Sequence, residues 1–147
     1  MTCKEELLDI WTSISIYETI EFINHQLKRV KIDPVPYVTA IPIITRFLEH
    51  YSTGQLWSLA YRTMQKACEV ILAIDAQETI RSTIYLDLFM QKGIQHINND
   101  WNLKLFERWG FQCRQSDYSK FFFNQVLAIY DEGFTNKPSL SVIGNQA

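Results

Sequence analysis

The sequence predicts an all-α fold, a single compact domain of about six helices packed around a central helix at about residues 53–74. Three observations point there. Apolar residues recur at steps of three and four through most of the chain, the period of one helix face. Several of these stretches open on Ser, Thr or Asp followed three positions later by Glu or Gln, an N-terminal capping signal. No strand-rich segment competes, because the best candidate, Leu140 to Ile143, alternates over too few residues to build a sheet.

The central helix carries the clearest signals. Ser52 stands at its N-cap, where its hydroxyl can accept from the amide of Gln55 while the Gln55 side chain reaches back. Trp57, Ala60, Tyr61, Met64, Ala67, Cys68 and Ile71 form the inward stripe, and Ser58, Arg62, Gln65, Lys66 and Glu69 form the wettable face.

Upstream, Thr2 and Glu5 cap a first helix with Leu7, Trp11 and Ile14 on one face. The stripe Ile16, Ile20, Ile23, Leu27 and Val30 is out of register with it, and Ser15 with Glu18 resembles a second capping box. This phase slip predicts a break or kink near Thr12 to Ser15. Lys28, Arg29 and Lys31 end the region, as suits the negative end of the helix dipole. Two prolines make Ile32 to Tyr37 an extended connector. The next helix is expected near Thr39, which leaves Pro42 in its first turn, with Ile41, Ile44, Leu48 and Tyr51 inward and Ile43 and Phe47 alongside.

Beyond the central helix, Asp75 and Glu78 read as a capping pair for a helix to about Ile97, with Ile80, Ile84, Leu88, Phe89 and Ile94 inward. Gly93 inside it costs about 1 kcal/mol relative to Ala, so it marks either a close approach of another helix or an early end. Asn98 to Asp100 is a turn with Asn99 as a cap, Trp101 to Trp109 a short helix, and Gly110 its stop. Ser116 caps a last helix to about Tyr130 with Tyr118, Phe122, Val126 and Ile129 inward, and Gly133 stops it. Residues 1–134 thus form the helical domain and residues 135–147 an extended or flexible C-terminal tail.

Composition bounds function. A chain of 147 residues with 47% hydrophobic and 20% charged residues can bury about two-thirds of its unfolded surface without disulfides or metal. Net charge is −2 with both signs dispersed, which argues against a nucleic-acid funnel. Cys3, Cys68 and Cys113 are far apart and odd in number, fitting a reducing cytoplasm. No apolar run approaches the about 20 residues of a membrane span.

No cofactor or metal motif is visible. His25, His50 and His96 do not pair at helical spacing, and Glu21 with His25 is a single pair where a bundle metal site needs a repeat. Glycines at 54, 93, 110, 133 and 144 cannot build a phosphate loop or nucleophile elbow. Cys68 lies on the apolar stripe, the setting of an inert thiol.

The leading expectation is therefore a non-enzymatic protein-binding module, a cytoplasmic neutraliser or adaptor of the immunity-protein or antitoxin type. Its candidate contact residues are Asp100, Trp101, Glu107, Trp109, Asp117 and Tyr118, acids and aromatics suited to a basic partner. A homo-oligomer is the related alternative, with Leu86 and Met90 off the main stripe and open to a symmetric partner. A helix-turn-helix-like reader over residues 101–130 is another, with Arg114, Gln115, Ser116, Ser119 and Lys120 toward bases. An enzyme whose site is assembled only on folding is the last.

Overall fold

The computed structural model describes residues 3–106 and 116–144. Helix dominates and no strand occurs among the described residues, so the chain is all-α. The elements are α1 (Cys3–Arg29), α2 (Tyr37–Leu48), α3 (Thr53–Ile74), α4 (Glu78–Asn98), α5 (Asp117–Lys120), which widens into a π-helical coil over Phe121–Val126, α6 (Glu132–Thr135) and α7 (Leu140–Gly144).

Helix α3 starts where its cap predicts. The Ser52 hydroxyl accepts from the Gln55 amide at 3.2 Å and the Gln55 side chain accepts from the Ser52 amide at 2.9 Å. Gln55 Nε2 also donates to Leu103 O and Asn102 Oδ1, so one side chain ties the cap to the chain beyond α4. Trp57, Ala60, Met64, Ala67 and Ile71 are buried as the stripe predicts, and Leu56 and Leu59 join them because this end of α3 is covered on more than one side. Tyr61 is the exception, nearly half exposed. Helix α3 packs on α1, α4 and α6, while α1 also packs on α2 and α7.

Helix α1 corrects the expected break: it runs unbroken from Cys3 to Arg29. Ser15 is a buried mid-helix residue whose carbonyl accepts from the Thr19 hydroxyl at 2.7 Å, not a cap. The phase slip has another cause. Trp11 and Ile14 enter a small second core with Phe122, Phe123, Leu127, Ile129 and Ile143, whereas Ile16, Ile20, Ile23 and Leu27 enter the main core. One unbroken helix serves two cores lying at different angles around it, so its apolar stripe shifts. Val30 falls past the helix end and is exposed. In the second core Trp11 Nε1 donates to the Gly133 carbonyl at 3.1 Å, and the Trp11 and Phe123 rings meet edge to face.

Helices α1, α3 and α4 end alike. Lys31, Asp75 and Asp100 each take a left-handed conformation, with φ of 59°, 51° and 52°. The next amide reaches back five residues in each case, Ile32 to Leu27, Ala76 to Ile71 and Trp101 to His96. This is the Schellman stop, here made on non-glycine residues. Asp75 is therefore the end of α3, and α4 begins after Gln77 with no side-chain cap, which corrects the expected Asp75 and Glu78 pair.

The connector Ile32 to Pro36 is non-helical, with Ile32 and Val35 buried and the Val35 amide donating to Asn24 Oδ1. Helix α2 starts at Tyr37, two residues earlier than expected, so Pro42 lies in its second turn. Gly93 of α4 marks a close approach: a Cβ there would come within 2.2 Å of the Phe47 ring of α2. On α4 the buried face is Tyr85, Leu86, Phe89 and Gly93, rotated from the expected stripe, and Ile80 is exposed. Leu86 is buried and Met90 packs against the main core, so neither is left over for a symmetric partner.

Residues 101–106 are not helical, which corrects the expected helix over that part; residues 107–109 and Gly110 lie outside the described residues. Asn99 instead caps the end of α4, its Nδ2 donating to Gln95 O. Ser116 does cap α5, accepting from the Ser119 amide at 3.1 Å. The coil then widens and stops at Val126, well before Tyr130, so Phe122, Phe123, Leu127 and Ile129 are buried while Tyr118 and Val126 are exposed. Gly133 sits within α6, where a Cβ would come within 2.4 Å of the Phe123 ring. Where an extended tail was expected, Leu140–Gly144 is helical, packs on α1 and buries Ile143.

Candidate functional site

A concave surface lies along α1. It is a groove of about 660 Å³, within the size range of ligand sites, and is mostly apolar. Its α1 wall consists of two adjacent rows at four-residue spacing: Asp9, Ser13, Tyr17, Glu21 and His25 in one, and Ile10, Ile14, Glu18 and Phe22 in the other. Such rows form because residues four apart lie one above the other on a helix. Trp57 of α3 closes the floor, and Ser116 and Tyr118 supply the far wall.

The floor is rigid. Phe22 and Trp57 stack at 4.3 Å between centroids with 7° between planes, and Phe106 and Phe134 meet Trp57 edge on. The far wall is joined to α1 by the Ser116 hydroxyl, which donates to Glu18 Oε1 at 3.0 Å. The rim is fixed by Tyr37, whose hydroxyl donates to Glu21 Oε1 and whose ring lies 5.7 Å from that of Tyr17. Burial, followed by the Glu21 hydrogen bond, pushes the Tyr37 pKa up to about 12. The phenol thus stays protonated and holds the Glu21 carboxylate in place.

Two features set this groove apart. Ile10, Tyr17 and Tyr118 are large apolar residues left exposed, at 38%, 51% and 66%, and all three line it. Asp9, Glu18 and Glu21 give it three carboxylates, while no Lys or Arg is among the described residues that line it. At one end the His25 Nε2 is buried without a hydrogen-bond partner. Lys28 and Lys31 line a neighbouring cleft that shares Glu21 and His25 with the groove. Arg62, Lys66 and Lys92 lie together on the α3 and α4 side, where burial first and then the two neighbouring cations lower the Lys92 pKa.

The sequence-predicted contact residues are divided by the fold. Tyr118 lines the groove, Asp117 is exposed beside it without lining it, and Ser116 serves as both cap and wall. Asp100 and Trp101 lie in a separate small cleft with His50, Tyr51, Gln55, Ile97 and Asn102. There the Tyr51 hydroxyl donates to Trp101 O, and the Trp101 ring meets His96 edge on. Glu107, Trp109, Arg114 and Gln115 lie outside the described residues. Ser119 is fully buried and so does not face a partner, whereas Lys120 is exposed. With residues 101–106 non-helical and α5 only four residues long, the described parts do not form a helix-turn-helix pair.

Asp9 and Tyr17 do not stand out in the sequence, and Glu21 does so only beside His25, as an incomplete metal pair. The signal available was the polar row at 9, 13, 17, 21 and 25, interrupted by an aromatic, on a helix whose other faces are apolar.

Among the described residues no group of three or more His, Cys, Asp or Glu side chains is placed to hold a metal ion. No described helix is long and apolar enough to cross a membrane. No family model matches the chain, and neither a curated protein nor a solved structure matches it. The fold and the groove together define the class: an all-α protein with an acid-rimmed apolar groove along its longest helix.

Proposed function

We propose that this chain is a protein-binding module that acts by stoichiometric contact, as a neutraliser or adaptor, and receives its partner in the α1 groove. The observation that carries this reading is the pairing of exposed Ile10, Tyr17 and Tyr118 with the carboxylates of Asp9, Glu18 and Glu21 in one groove whose described lining holds no Lys or Arg. Exposed apolar groups gathered in a concavity favour a partner that covers them. The carboxylates of Asp9 and Glu21 beside them favour a cationic one, steering its approach and selecting against acidic competitors. Aromatic residues such as Tyr17 and Tyr118 are the common anchors of such surfaces.

The test places a photo-crosslinking residue at Tyr17 and, as a control, at Leu72, which is exposed on α3 away from the groove lining. A protein crosslinked from Tyr17 but not from Leu72, and then shown with purified components to bind in a 1:1 ratio, supports the reading. A partner crosslinked equally from both positions, or none from either, contradicts it.

A further inference from the structure

We infer that the groove's occupant is an amphipathic, cationic α-helix of the partner protein; this rests on the protein-binding reading above. The first support is shape. The row Asp9, Ser13, Tyr17, Glu21 and His25 follows an unbroken stretch of α1 and turns gradually about it, by about 40° per step. At a rise of 1.5 Å per residue it extends about 24 Å, the length of about 16 helical residues. Rows at four-residue spacing are one of the two sets of ridges through which helices pack on each other. An open trough between such a ridge and the wall at Ser116 and Tyr118 suits a helix laid lengthwise, the helix-in-groove mode of recognition.

The second support is the order of charge and apolar surface along the trough. Asp9 and Glu21 stand on the outer row, about 18 Å apart along the axis. Ile14, Phe22 and Trp57 lie deeper, so the apolar surface is at the bottom and the charge above it. An occupant that meets both must carry an apolar stripe flanked by cations on one side, and a helix presents these at fixed spacing. An extended strand would alternate its side chains between the trough and solvent, and its backbone would need an unpaired sheet edge that this all-α chain does not offer among its described residues. The third support is His25. The residue lines the end of the row and its Nε2 is buried without a hydrogen-bond partner, so an unsatisfied polar group stands there.

The test uses three fluorescent peptides of about 16 residues. One carries leucines at helical spacing with flanking lysines; the second has the same composition in alternating order; the third replaces each lysine by glutamate. Anisotropy titrations are run with the whole chain and with its Asp9→Asn, Tyr17→Ala and Glu21→Gln variants, each first checked for unchanged thermal unfolding. The helical basic peptide is expected to bind 1:1 and at least ~10-fold more tightly than either of the others, with affinity falling in the variants and with added salt. Equal binding of the alternating peptide, or binding that the three variants leave unchanged, overturns the inference. So does displacement of the peptide by a small amine such as spermidine at matching affinity, since a small cation is then the ligand, or a chain that elutes as a dimer through this face. If the crosslinked native partner proves to enter the groove as an extended segment, only the helical occupant fails; if no protein enters the groove, the protein-binding reading fails with it.

Discussion

The rings of Phe22 and Trp57 lie face to face, with centroids 4.3 Å apart and planes 7° from parallel. This contact joins α1 to α3 in the main core and also forms the floor of the groove. Stability and the proposed contact surface therefore share one aromatic pair. Trp57→Ala is expected to cost about 3–5 kcal/mol, the range for deleting a buried aromatic. Trp57→Phe keeps a stacked ring and should cost less. Urea denaturation of both variants checks this, and an alanine variant as stable as the parent would remove Trp57 from the core.

The helix stops make a prediction in the stabilising direction. Lys31 and Asp75 hold a left-handed conformation that costs a non-glycine residue about 1–2 kcal/mol. Lys31→Gly and Asp75→Gly should relieve part of that strain, offset by the greater backbone freedom of glycine in the unfolded chain. A net gain of up to about 1 kcal/mol each is expected by chemical denaturation. Loss of stability at both positions would show that the side chains contribute something the backbone geometry does not explain.

Gly93 and Phe47 offer a coupled test. A Cβ at residue 93 would stand 2.2 Å from the Phe47 ring, far inside van der Waals contact. Gly93→Ala should therefore destabilise the fold by about 1–3 kcal/mol, as overpacking does, although alanine is the better helix former. Combining it with Phe47→Leu should recover part of the loss. Strictly additive effects in the double-mutant cycle would mean that the two residues do not touch.

Much of the fold is legible in these same residues, and the failures have physical causes. The Ser52 and Gln55 cap and the limits of α3 could be read because they depend on local hydrogen bonds and one unbroken stripe. Gly93 stands out in the sequence because glycine inside a helix needs a reason. The stops at Lys31, Asp75 and Asp100 were not recognised as left-handed because no glycine announces them. The shift along α1 was misread as a break because one helix serves two cores, an arrangement decided by residues more than 100 positions away. The groove was hidden for the same reason. Tyr118 reads from sequence as an inward residue as well as a contact candidate, and Asp9, Tyr17, Glu21, Trp57 and Ser116 meet it only after folding.

Stability should fall at high pH. Tyr37 is raised to about 12, by burial and by its hydrogen bond to Glu21, and burial raises fully buried Tyr85 as well. Both are favoured as neutral phenols in the folded state. Their contribution is therefore complete below the ordinary tyrosine value of about 10 and is lost as pH rises from there through the folded-state values. The thermal midpoint should decline above about pH 10, and Tyr37→Phe should weaken that decline. A Tyr37→Phe profile identical to the parent's above pH 10 would place the effect elsewhere.

We place the binding of a cationic protein partner in the α1 groove, and calorimetric titration of the crosslinked partner into a charge-reversed chain checks this. Asp9→Lys combined with Glu21→Lys, with folding confirmed by circular dichroism and thermal unfolding, should weaken 1:1 binding by at least ~100-fold, because like charges would then face each other across the contact. Affinity equal to that of the unaltered chain would contradict the claim.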